Sequence, residues 1–164
     1  MQGLKKWKGE KTMKKTLVIL WLSLFLLSMG GTVLASGNGT AQEAEALVKK
    51  AISYIKAQGQ EKAFAEISNS KGSFVDRDLY IFVYDMNGKC IAHGANQKMI
   101  GKDLREMKDT DGKSYVKERI EIAKSKGKGW QDYKFTNPLS KKIEAKTAYI
   151  EKLDDMIVGC GIYK

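Results

Sequence analysis

Between residues 40 and 93 the apolar spacing of the chain changes from a helical period to a strand period, which confines the fold to one that mixes the two elements. In TAQEAEALVKKAISYIKAQG, residues 40–59, Ala44, Leu47, Val48, Ala51, Ile52 and Ile55 recur at helical intervals and form one stripe. Thr40 and Glu43 have capping-box spacing and Gly59 stands where such a helix stops, so the segment predicts an amphipathic helix of about 18 residues. EKAFAEISN extends the pattern, with Ala63, Phe64 and Ile67 on one side. LYIFVYD and KCIAH follow, two short runs rich in aromatic and β-branched residues around Met86-Asn87-Gly88, and Asn-Gly is a strong hairpin signal. Farther on, SYVKERIEIAKSKGKG carries Val116, Ile120 and Ala123 at helical spacing before its glycines. WQDYKF, KIEAKTAYIEKL and MIVGCGIY have strand character, with turns at Asn137-Pro138 and Asp154-Asp155. Helix, hairpin, helix and three strands predict an α+β fold with a five-stranded antiparallel sheet.

Residues 1–35 have the features of an export signal, and residues 36–164 suit a single domain. Lys5, Lys6, Lys8, Lys11, Lys14 and Lys15 precede the apolar run LVILWLSLFLL, and Val33 and Ala35 supply the positions a signal peptidase requires for cleavage between Ala35 and Ser36. That run has 11 residues, short of the roughly 20 that cross a bilayer as a helix; an uncleaved anchor is the alternative reading. The segment from Met13, MKKTLVILWLSL, is a complete signal start by itself. The expected location is therefore periplasmic or secreted. Without the leader the formal charge falls from +10 to +5, with 23 basic and 18 acidic residues. These alternate in sign without a long basic block, which argues against nucleic acid as a partner.

The chain has a single histidine, His93, and two separated cysteines, Cys90 and Cys160, too few for the three or four clustered ligands of a zinc site; no metal or other cofactor is expected. Asp109-Thr110-Asp111-Gly112 resembles the start of a calcium loop but lacks the later oxygen ligands, and is expected to be a turn or helix cap. Cys90 and His93 stand three positions apart on one strand, hence on opposite faces unless a bulge intervenes, which disfavours a thiol–imidazole pair. No Gly-x-Ser-x-Gly, P-loop or dinucleotide fingerprint is present, and no enzyme is expected. A binding pocket suits the residues better. Tyr80, Phe82 and Tyr84 share one face of the first strand, while Gly159 and Gly161 leave side-chain gaps on one face of the last. Each aromatic taken singly is ordinary core, and it is their convergence that marks a pocket. Lys146, in EAKTAYI among small and apolar neighbours, is expected to face an anion, since an uncompensated ammonium is costly to bury; the alternative is a lysine that snorkels from a sheet edge. Its strand face includes Ala148 and Ile150, and Tyr149 points the other way on a regular strand.

The series YIFVYDMNGKCIAHG, IGKDL, KDTDGK, GKGWQDYKFTNP, KKIEAKTAYI and GCGIYK, in that order, resembles the single Cache domains of type 2, extracytoplasmic sensing modules of bacterial chemoreceptors and sensor kinases. The resemblance runs from about Ala41 to the last residue. It implies a PAS-like sheet with the long N-terminal helix packed across one face and a pocket for a small organic acid on the other, of the acetate, propionate or pyruvate kind. Carried over by position, it assigns ligand contacts to Tyr80, Phe82, His93, Trp130, Tyr133, Lys146 and Tyr149. Gly94 departs from the proline usual after that histidine, a change expected to loosen residues 94–101. The PAS-like order puts the first strand between the second and the last, separating Cys90 from Cys160 by about 9.5 Å, beyond disulfide reach, so two free buried thiols are expected. Receptors of this class continue into a transmembrane helix; here the expectation is a free ligand-binding domain that either acts through a membrane receptor or sensor kinase or simply holds its ligand, its oligomeric state open. An interaction protein without a small ligand, or an enzyme on the same scaffold, are the alternatives.

Overall fold

A computed structural model describes residues 37–164, and the signal peptide expected over residues 1–35 lies outside the described residues. Helix α1 (Ala41–Gln58) opens at Thr40, whose Oγ1 accepts the Glu43 amide at 3.3 Å while Glu43 Oε2 accepts the Thr40 amide at 2.8 Å. That reciprocal pair satisfies two donors the helix leaves free. Gly59, at φ 78°, ends α1 and leads into α2 (Gln60–Ile67). Their apolar stripes bury Ala44, Val48, Ala51, Ile55, Ala63 and Ile67 against the sheet, as the spacing predicts.

Strands β1 (Val75–Asp76), β2 (Leu79–Asp85), β3 (Cys90–His93), β4 (Lys128–Thr136), β5 (Ile143–Leu153) and β6 (Met156–Tyr163) form an antiparallel sheet in the order β1-β2-β6-β5-β4, with β3 also paired to β2. Among the described residues there are six strands where the sequence predicts five. The additional one is the two-residue β1, too short to show the alternation by which a strand is recognised. β2 lies between β3 and β6, as anticipated, and Cys90 and Cys160 are both free and buried.

Alternation along the strands divides the interior in two. Ile81, Val83, Val158 and Cys160 face α1 and α2. Tyr80, Phe82, Tyr84, Ile150 and Ile157 face the other way, toward α3 (Tyr115–Lys126) and the segment before it, which includes a 3-10 turn at Gln97–Met99. Gly127, left-handed at φ 73°, ends α3, and β4 begins at the next residue, so α3 folds directly back across the strands that follow it. Among the described residues, no helix is long and apolar enough to cross a membrane.

Candidate functional site

The α3-facing side of the sheet has a floor shaped by two glycines. Gly159 lies opposite Phe82, and a Cβ built there would overlap Phe82 Cε2 and Cζ; one built at Gly161 would stand 2.5 Å from Lys146 Cε. The missing side chains are what allow the Phe82 ring and the Lys146 stem to lie flat over β6.

Two cations are buried above this floor. Arg119 of α3 and Lys146 of β5 are each 1% exposed, and the ion pairs among the described residues involve other cations. Aromatic rings take the place of carboxylates. The Arg119 guanidinium carbon lies 4.2 Å from the Phe82 ring centre, 4.9 Å from Tyr84, 5.4 Å from Tyr133 and 5.5 Å from Tyr115. Lys146 Nζ sits 3.8 Å over Tyr80 and 4.5 Å from Tyr163, and donates to the Tyr163 hydroxyl at 3.3 Å. That hydroxyl in turn donates to the Thr136 carbonyl at 2.8 Å and lies 3.1 Å from the Tyr80 hydroxyl. Cation–π contacts return part of what water gave a cation, but they supply no acceptor. Arg119 Nε reaches Gln131 Oε1 at 3.4 Å, whereas Arg119 Nη2 and the Tyr115 hydroxyl are buried without a partner. Two orphaned donors and a half-satisfied ammonium, set among the rings of one aromatic core cluster, are groups that an oxyanion could satisfy.

His93 completes the rim. Its Nδ1 accepts the amides of Ala95 at 3.3 Å and Asn96 at 3.0 Å, so the ring proton resides on Nε2 and that nitrogen is a donor. Burial, and then the charges of Lys146 and Arg119, lower its pKa to about 3, leaving a neutral imidazole near neutral pH. The ring tilts against Tyr80 at 5.0 Å. A cleft of about 170 Å³ opens beside it, lined by Tyr80, His93, Asn96, Phe135 and Asn137 among others. A second, of about 300 Å³, reaches Tyr133 and Lys146 past Asp109, Lys134 and Lys164.

Two local expectations change. β3 pairs Phe82 with His93 and Val83 with Ala92 but Tyr84 with Cys90, so Ile91 is the extra residue of a bulge and Cys90 shares a face with His93. Shared placement does not make a nucleophile: burial pushes the Cys90 thiol up to about 11, keeping it protonated at neutral pH. Nor does Gly94 loosen its loop. It is buried, its amide donates to the Ile81 carbonyl at 2.9 Å, and a Cβ there would lie 3.1 Å from Tyr80 Cβ and 3.0 Å from Val75 Cγ2. Asp109 closes a turn as anticipated, its Oδ1 accepting the amides of Asp111 at 3.0 Å and Lys113 at 2.9 Å.

Of the seven residues that sequence assigned to ligand, the chamber brings together Tyr80, Phe82, His93, Tyr133 and Lys146. Trp130 and Tyr149 are not with them, and their assignment is corrected here. They are cross-strand partners with rings 5.3 Å apart on the opposite face, where the Tyr149 hydroxyl donates to Glu151 and Trp130 is 40% exposed. Each stands an odd number of residues from a chamber residue of its own strand, and a regular strand sends such positions apart. Sequence reasoning missed Arg119, Tyr115 and Tyr163. Arg119 had one signal: it follows Tyr115 by four and Val116 by three, on the helix stripe that becomes buried.

A family model described as single Cache domain 2 matches residues 11–164. The methyl-accepting chemotaxis protein McpP of Pseudomonas putida is 33% identical over 90 residues, and the sensor histidine kinase MctS of Rhizobium johnstonii is 34% identical over 89. Those alignments take in 54% and 53% of this chain but only 16% and 19% of the relatives' own length. Among solved structures, a methyl-accepting chemotaxis protein from Vibrio parahaemolyticus superposes with TM-score 0.65 at 23% identity, covering 74% of this chain and 86% of that one. Another, described as the structural basis for carboxylic acid recognition by a Cache chemosensory domain, gives 0.59 at 21% identity, covering 95% and 99%. These structures share the fold, and the proteins named are chemotaxis receptors, a sensor histidine kinase and a Cache chemosensory domain.

Proposed function

The chain belongs to the single Cache domain 2 family, and from that premise we propose that it is an exported sensor domain, without catalytic activity, that binds a short monocarboxylate of the acetate, propionate or pyruvate kind. The observation that carries this reading is the burial of Arg119 and Lys146, neither of which makes an ion pair among the described residues. A ligand carboxylate accepts from Arg119 Nη2 and the Tyr115 hydroxyl, and Lys146 adds charge from the other side of the chamber. The rings of Phe82, Tyr80 and Tyr133 surround the alkyl part. The carboxylic acid recognition described for the similar Cache structure supports this ligand class. Signalling through a membrane receptor or sensor kinase is supported by the chemoreceptor and kinase relatives, and a periplasmic or secreted location by the leader over residues 1–35.

Thermal denaturation of the purified protein tests the reading. Acetate, propionate or pyruvate should raise the melting temperature while acetamide, similar in shape but uncharged, should not; a ligand at a hundred times its Kd adds about 2.7 kcal/mol. Silence from all three acids would overturn it, and a response to an amino acid or purine instead would name a different ligand class.

His93 then positions the ligand through Nε2–H. His93→Asn keeps an acceptor near Nδ1 for the loop amides and removes the Nε2 donor, so the fold should persist while affinity drops about two- to tenfold, the worth of a neutral hydrogen bond of about 0.5–1.5 kcal/mol. The neutral ring also predicts acid sensitivity. The unfolded chain binds a proton at about 6.5 and the folded one does not, so stability should fall as pH drops below about 6.5, and fall less in His93→Asn. Denaturant melts at stepped pH measure both, and unchanged affinity in the variant would remove His93 from the site.

A further inference from the structure

Lys146 differs from Arg119 in that its charge is not permanent. The ammonium is fully enclosed, has three protons to donate and places one, on Tyr163. The groups around it are ill suited to hold a proton. From β2 it meets Tyr80, from β6 Tyr163, and from β4 its cross-strand partner Tyr133, all neutral phenols near neutral pH. Arg119 of α3 repels it, and His93 of β3 is uncharged. Cys160, on the far face of β6, stays a thiol, pushed up to about 12 by burial. Asp78, buried in the β1–β2 turn, is a carboxylate whose field reaches the lysine; it spends Oδ1 on the Gly39 amide at 2.6 Å and makes no ion pair with Nζ.

We infer that the site takes its carboxylate together with one proton from solvent, which settles on Lys146 Nζ, so that the domain responds to the product of anion and proton concentrations. The inference rests on the monocarboxylate reading above. The balance is simple: a neutral amine, an anion and a hydron from the buffer give an ammonium–carboxylate pair, with one N–H bond formed at Nζ and the ligand covalently unchanged. The net charge of the chamber is the same before and after, which is what a desolvated site favours. Burial lowers the free lysine to about 7, and an anion beside it raises that value again.

Calorimetric titration of the protein with sodium acetate, propionate and pyruvate, in Hepes and in Tris at about pH 8, reads the proton directly, because the two buffers release it with different heats. The expected uptake is more than about half a proton per ligand, falling toward zero near pH 6, and affinity should decline by nearly tenfold per pH unit above about 7.5. Uptake should vanish in Lys146→Met and persist in His93→Asn. Binding without uptake and with affinity flat between about pH 6 and 8.5 would overturn this inference and leave the ligand class standing. No heat or thermal shift from any of the three acids would overturn both. Should Lys146→Met bind too weakly to titrate, ligand-free melts decide. The unfolded chain keeps the lysine proton between about 7 and 10.5 and the folded chain does not, so wild-type stability should rise with pH across that window and Lys146→Met should lack the rise. Equal pH profiles for the two proteins would count against the inference.

Discussion

Replacing Arg119 with methionine should abolish the response to carboxylates without weakening the ligand-free fold. The guanidinium offers a carboxylate charge-assisted hydrogen bonds of about 1.5–3 kcal/mol each, so losing a two-point contact should weaken binding more than about a hundredfold. Stability should move the other way. Arg119 is enclosed, its Nη2 unpaired and its Nε held by one long bond to Gln131, so the fold carries a buried cation without an ion pair among the described residues. Methionine keeps much of the stem and favours contact with the rings of Phe82, Tyr84, Tyr115 and Tyr133. Replacing buried charges by apolar side chains of similar volume is often neutral or stabilising by about 1–4 kcal/mol. Gln131 keeps both donations from its Nε2, to the Tyr115 carbonyl and to Glu118, each at 2.6 Å, and loses only the long bond that its Oε1 accepts from Arg119. Arg119→Lys should keep the charge and lose the planar fork, leaving weak binding. A methionine variant that loses about 3 kcal/mol or more in urea melts and still binds within threefold of wild type would make Arg119 a structural residue.

Gly159→Val should unfold the floor from below. A Cβ there overlaps the edge of the Phe82 ring and stands 3.0 Å from Ile150 Cγ2, with no solvent-exposed route for either to yield. Overpacking of this kind costs about 1–3 kcal/mol in a well-packed core, and valine adds two methyls beyond the Cβ. The effect on ligand should exceed the effect on the fold, because Phe82 is the ring nearest the Arg119 guanidinium. Gly37→Ala provides the comparison: nothing lies within 4 Å of its Cβ, and its melting temperature should match wild type. If Gly159→Val melts like wild type and binds like it, the sheet floor is softer than its packing implies.

The elements themselves follow from short-range patterns that need no tertiary information. The stripe and capping box place α1, Asn87-Gly88 places the β2–β3 hairpin, and the period of two assigns Tyr80, Phe82 and Tyr84 to one face of β2 and the gaps at Gly159 and Gly161 to one face of β6. The same parity already set Tyr149 apart from Lys146; family position outweighed it, and parity was the better guide. Tertiary structure alone decided the rest. The bulge at Ile91 turns Cys90 to the side of His93, and a bulge arises from how two strands pair, not from either strand's own residues. Arg119 sits in a segment, YVKERIEIAKSK, whose charges suggest a solvated helix, and a lone guanidinium on a stripe reads as surface because burying one is costly. Its burial depends on α3 folding back over β4 and β5 to meet four aromatic rings from β2, β4 and α3 itself, a convergence of residues up to 51 positions apart in the chain. Local sequence records what each residue prefers; only the packed chamber holds the charge against that preference, and the cost of doing so is what a bound anion relieves.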